Sequence, residues 1–164
     1  MKQMKATKIS KVLIALDYDP TAEKVAELGY SLAKSIDAEV FLLHVIVDDS
    51  YYSSLEYVPV IGPVGFSNIG MNYIKDSNEL KNATQHFLDK TKEHLGDKKI
   101  KTIVKEGDFA DSIIKTATEL HVDVIVMGSH SRRWLEKIIL GSVTEKVLSQ
   151  TKIPLYIIPT KKHN

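Results

Sequence analysis

The sequence predicts an α/β domain of three layers, a parallel five-stranded sheet between two layers of helices. Two observations carry this. Five short apolar runs alternate with segments of helical period, the order produced by β-α-β units with right-handed crossovers. Four of those runs are nearly continuous in apolar residues. Continuous runs suit strands covered on both faces.

The elements follow in chain order. Lys11 to Leu16 (KVLIAL) is the first strand. Asp19-Pro20 predicts a helix start, with Asp19 as cap and Pro20 at the first helical position. Ala22, Val25, Ala26, Gly29, Leu32, Ala33 and Ile36 then fall on one helical face. The second strand is Val40 to Val47. A long loop, 48–71, follows; it is rich in tyrosine, proline and glycine. Loops above about 12–15 residues are usually lids, partner surfaces or disordered, and its apolar content predicts that it packs on something.

The next helix places Leu80, Ala83, Phe87, Leu88 and Leu95 together and stops at Gly96. Lys101 to Val104, with its Lys and Thr, predicts a strand nearer an edge. A helix with Ala110, Ile113, Ile114, Ala117 and Leu120 inward is capped by Asp108 or its neighbour. The fourth strand is Val122 to Met127. A last helix begins near Ser142 with Val143, Val147 and Leu148 inward, and Leu155 to Ile158 closes the sheet.

Length and composition narrow the classes. The 164 residues fit one domain, 1–164, of a size that buries roughly 70% of its unfolded surface. Lys+Arg is 22 against Asp+Glu 21, which disfavours nucleic acid as a partner. There are no cysteines, so disulfides, Cys-ligated metals and a thiol nucleophile are excluded. No secretory signal and no apolar run of membrane-spanning length is visible; with the missing cysteines, this predicts a cytoplasmic protein. The six histidines show no i,i+4 pair and no HExxH pattern, so spacing alone points to no metal site. His44, inside an apolar strand, reads as a core histidine.

Chemistry concentrates between Val124 and Pro159 (VIVMGSHSRRWLEKIILGSVTEKVLSQTKIPLYIIP). Gly128-Ser129-His130-Ser131 follows a strand and can offer successive backbone N–H groups to an anion. Gly141 allows close approach, and Ser142 opens a helix whose amino terminus favours negative charge. Taken singly, each position reads first as a turn or an ordinary helix start; taken together they point to a phosphate. In doubly wound sheets, ligands bind where the winding reverses. If the chain winds outward through strands two and three and then crosses back, that point lies between Asp17 and Gly128. Asp17 would hold a ribose hydroxyl or a phosphate-bridging cation, or else merely turn the chain. Arg132 and Arg133 read as a solvated turn, and Trp134, Leu135, Ile138 and Ile139 as packing. There is no Walker A loop, no GxGxxG, no GxSxG elbow and no paired carboxylates with a base, which counts against efficient catalysis.

These residues carry a resemblance to the universal stress protein family, over nearly the whole chain and most strongly in MGSHSRRWLEKIILGSVTEKVLSQTKIPLYIIP. The nucleotide-binding branch has G-x-x-G, nine residues, then G-[S/T]. Here Gly128, Ser131, Gly141 and Ser142 keep that spacing, with Ser131 in place of the second glycine. The resemblance implies an adenine nucleotide α-hydrolase-like fold with strand order 3-2-1-4-5. It also implies ATP or AMP as ligand, with Mg2+ as a candidate companion. Ala15 and Val45 would lie near adenine and Asp17 near ribose and phosphates. Gly128, His130, Ser131, Gly141, Ser142, Val143 and Thr144 would cradle the phosphates. It further implies a homodimer through Leu155, Tyr156, Ile157 and Ile158, with Pro154 and Pro159 limiting the pairing. The function so implied is a nucleotide-binding regulator of stress adaptation. The alternatives are a ligand-free interaction module and a slow ATP hydrolase using His130 to orient water.

Overall fold

The computed structural model describes residues 6–17, 20–47, 77–129 and 141–160. Among them run β1 (Lys11–Leu16), α1 (Ala22–Ser35), β2 (Glu39–Ile46), α2 (Ser77–Leu95) and β3 (Lys101–Glu106). They continue with α3 (Phe109–Glu119), β4 (Val124–Ser129), α4 (Ser142–Gln150) and β5 (Leu155–Pro159). The strands form one sheet in the order β3-β2-β1-β4-β5, with every pairing parallel. The expected fold class and strand order are both present.

Alternation within the strands builds two cores. Val12, Ile14, Val40, Leu42, Val124 and Val126 face α1 and α2, meeting Ala26, Ala33, Phe87 and Leu88. Their neighbours Leu13, Phe41, Leu43, Ile125 and Met127 face α3 and α4, meeting Ala110, Ile113, Ala117 and Val147. The central strands are apolar on both faces because both faces are covered. β3 lies at an edge and is largely half-buried or exposed, as its Lys and Thr predict.

Several boundaries were set by local chemistry. Gly96 follows α2 with φ 70°, a left-handed stop that glycine adopts without a Cβ penalty. Asp108 caps α3, its Oδ1 accepting from the Asp111 N–H at 3.0 Å. At the amino-terminal edge of the sheet, Asp123 accepts from Ser10 N, Ser10 Oγ and Lys11 N at 2.8, 3.0 and 2.9 Å. Those donors hold its carboxyl below the usual range and fix the entry of β1 against β4.

Two expectations are corrected. α1 begins at Ala22 with Thr21 as its N-cap, and Pro20 stands in the preceding turn; Asp19 lies outside the described residues. The Thr21 carbonyl accepts from Val25 N at 3.1 Å, so the first helical bond forms beyond the proline. Leu148 does not face inward but is 51% exposed. The inward residues of α4 are Thr144 and Val147, with Val143 packed partly beneath. The 48–71 loop falls outside the described residues.

Candidate functional site

The strand order places the reversal of winding between β1 and β4. Their register runs from Val12↔Val124 to Ile14↔Val126, which carries the end of β1, and Asp17 after it, alongside the end of β4. Gly128 and Ser129 are not loop residues there. They belong to β4 and pair with Ile158 and Pro159 of β5.

Gly128 therefore does not turn the chain. Its backbone is extended strand, and what requires glycine is space. A Cβ would stand 2.9 Å from Val25 Cγ2 and 3.0 Å from Thr160 Cγ2. The end of β4 is clamped by residues that sequence reading did not single out. Buried Thr160 donates its hydroxyl to the Ser129 carbonyl, and Lys24 Nζ donates to the Pro159 carbonyl at 2.8 Å. Neither residue type nor spacing signals these contacts, which join distant parts of the chain.

α4 brings the third component. Its N-cap is Gly141, so no side chain caps its first turn. The Thr144 hydroxyl donates to the Gly128 carbonyl at 3.2 Å, tying that amino terminus to the end of β4. Thr144 is buried, and what it can offer an anion is its backbone N–H, since its hydroxyl is engaged. Ser142 is exposed and Val143 half-buried. Gly141 has φ −54° and ψ 157°, values open to any residue, so its backbone does not demand glycine. The structure thus brings Gly128 together with the α4 amino terminus of Gly141, Ser142, Val143 and Thr144, while Asp17 follows β1, the strand that pairs with β4; His130 and Ser131 lie outside the described residues.

Ala15 and Val45 sit on adjacent strands and face the α3–α4 layer. Between them in chain order, His44 is a core histidine, as read, and it also reaches this end of the sheet. Its Nδ1 lies 2.7 Å from the Leu16 carbonyl, and its ring meets Phe87 edge-on at 6.3 Å. Burial pulls its pKa from 6.5 to about 4, against the opposing effects of the Leu16 bond and the Asp17 charge. The ring is therefore neutral at pH 7. Because a carbonyl can only accept, Nδ1 carries the proton and donates to Leu16, the residue before Asp17.

Comparison with known proteins agrees with this architecture. The model of the universal stress protein family matches residues 8–159. The chain belongs to the universal stress protein family. Among its relatives, universal stress protein MJ0577 of Methanocaldococcus jannaschii is 32% identical over 158 residues, covering 92% of this chain and 95% of that protein. Universal stress protein YxiE of Bacillus subtilis is 30% identical, covering 91% and 98%. The solved structure of MJ0577 superposes with a TM-score of 0.68 over 96% of this chain and all of that one, at 29% identity. Two more distant universal stress proteins share the fold, one solved with cAMP (TM-score 0.59) and one, from Archaeoglobus fulgidus, with dAMP (TM-score 0.53). Among the described residues, no helix of this family member is long and apolar enough to cross a membrane.

Proposed function

We propose that this universal stress protein is a cytoplasmic regulator that binds an adenine nucleotide, ATP or AMP, and acts in stress adaptation as a single domain spanning residues 1–164. The observation that carries the reading is the Thr144–Gly128 bond. It ties the helix amino terminus of α4, with no side-chain cap, to the end of β4, on the strand pair whose other member, β1, leads into Asp17. A helix amino terminus carries roughly +0.5 of an elementary charge and unpaired N–H donors, which suits phosphate. That Gly141 is free of any backbone requirement fits a position kept bare for a ligand.

The roles follow from placement. The N–H groups of Ser142, Val143 and Thr144, with His130 and Ser131 from the preceding segment, would receive the phosphates. Asp17 would accept from a ribose hydroxyl or hold Mg2+ against the phosphates. Ala15 and Val45 would border the adenine, with His44 fixing the Leu16 carbonyl behind Asp17. Mg2+, when bound, neutralises phosphate charge. Universal stress proteins of this fold bound to cAMP and dAMP support the adenine class. β5 is an edge strand with Tyr156 43% exposed, and we assign it as the surface of a homodimer.

The test is mass spectrometry of denatured, freshly purified protein, followed by calorimetric titration with ATP, ADP and AMP. Co-purified adenine nucleotide is expected, and Asp17→Ala or Gly141→Leu should each weaken binding at least about tenfold, equivalent to roughly 1.4 kcal/mol. Absence of heat with all three nucleotides would replace this reading with a ligand-free interaction module.

A further inference from the structure

α1 and α2 lie side by side on one face of the sheet, sharing the core built on Ala26, Ala33, Phe87 and Leu88. Polar contacts cross between them. Tyr30 Oη donates to Asp97 Oδ2 at 3.1 Å, just past the end of α2. One turn earlier on each helix, the His94 Nε2 approaches Glu27 Oε1 at 2.7 Å and Glu23 Oε1 at 3.3 Å. Glu23 and Glu27 stand four apart on α1 and so share a face. One donor atom from each of the three residues lies within 4.8 Å of the others.

We propose that Glu23, Glu27 and His94 form a binding site for a first-row divalent transition metal, best matched by Zn2+, that bridges α1 and α2. A tetrahedral Zn2+ with bonds of about 2.0–2.1 Å holds its ligand atoms roughly 3.3 Å apart. The imidazole stands at that separation from Glu23 and about half an ångström closer to Glu27, so seating the ion asks for a movement of about that size from side chains long enough to supply it. Two carboxylates balance the charge of the cation. The imidazole nitrogen turns the preference from Ca2+ and Mg2+, which take oxygen ligands, toward Zn2+ and its neighbours. Each side chain is about half exposed or less, which leaves an entry path and room for water as the remaining ligand.

The backbone beneath is fixed by the shared core and by the Tyr30–Asp97 bond, so the donors are held on rigid elements. None of the three residues belongs to the switch-point site. Sequence spacing could not show the cluster, because its histidine and its glutamates come from different helices, as the 67-residue separation of Glu27 and His94 records. A cation here would act as a clasp, joining the outer faces of two helices whose inner faces already pack.

The chain, freed of metal by chelation and of nucleotide by dialysis, is titrated with ZnCl2 at pH 7.5 by calorimetry, and with Co2+ by visible absorption. The expected result is one Zn2+ per chain with a dissociation constant in the micromolar range or below. Co2+ should give the intense bands of a four-coordinate site. Glu27→Gln and His94→Gln should each weaken Zn2+ binding by at least about tenfold, and His86→Gln should leave it unchanged. Circular dichroism in EDTA checks that the variants fold, with Glu23→Gln as a third variant should either fail. Binding that survives both Glu27→Gln and His94→Gln, or no heat at Zn2+ concentrations well above micromolar, would overturn the site.

Discussion

His44 couples the core to the end of β1. Between pH 6.5 and about 4 the unfolded chain takes up a proton on this ring that the folded chain refuses. Its stabilising contribution is therefore complete above pH 6.5 and is lost as pH falls toward 4. The full span corresponds to about 3 kcal/mol. His44→Gln keeps an N–H for the Leu16 carbonyl but cannot titrate, so urea midpoints at pH 7 and pH 5 should lie closer together than in the parent; an undiminished difference would refute the assignment. Gly128 makes a second prediction at this scale. Its added methyl meets Val25 and Thr160 at 2.9 and 3.0 Å, both branched at Cβ and unable to swing aside. Gly128→Ala should cost about 1–3 kcal/mol by overpacking, measured by thermal or urea denaturation. Gly141→Ala, at an unstrained N-cap, should cost no more than about 1 kcal/mol.

At the scale of elements, what was legible in the sequence was what is decided locally. The strands on both sides of each helix, the Gly96 stop and the Asp108 cap depend on residues within a few positions of one another. Asp108→Ala removes the acceptor of the Asp111 N–H and one of two partners of Lys146. It should destabilise the domain by about 1 kcal/mol, with hydrogen exchange faster in α3 than elsewhere. The start of α1 was misplaced because proline's preference for a first helical turn is statistical, and here the Thr21 carbonyl makes the first bond instead. Leu148 stands at the margin of the inward stripe of α4, which is centred on Val143, Thr144 and Val147, with the Thr144 hydroxyl satisfied by the Gly128 carbonyl. In the candidate site, Asp17 and Gly141 could be found from strand ends and helix starts. The clamp of Thr160 and Lys24 could not, since it joins ordinary residues 31 and 135 positions apart.

For the whole molecule, the two edges of the sheet differ. β3 carries charge outward through Lys101 and Lys105, both in ion pairs. β5 presents Tyr156, and α4 presents Leu148, with 43% and 51% of their surfaces exposed. An uncovered apolar edge invites pairing, which is why the proposed dimer is placed there. Sedimentation at micromolar concentration should give a dimer, and Tyr156→Lys should shift it toward monomer without lowering thermal stability at matched monomer mass. A monomer in the parent protein would remove the dimer from the proposal.

The central position of β1 also bears on the order in which the chain matures. Its pairing with β2 links residues such as Leu16 and His44, 28 positions apart. Its pairing with β4 waits for the Ser10–Asp123 contact, 113 positions apart. Closing the longer loop costs more chain entropy and comes later. Asp17 and Gly128 belong to opposite sides of that late junction. A refolding chain should thus regain helical signal before it regains the proposed nucleotide binding, which should appear only in the slowest phase of a stopped-flow experiment. On a ribosome the same order holds: until β4 has emerged, the nascent chain carries only one side of the proposed nucleotide site.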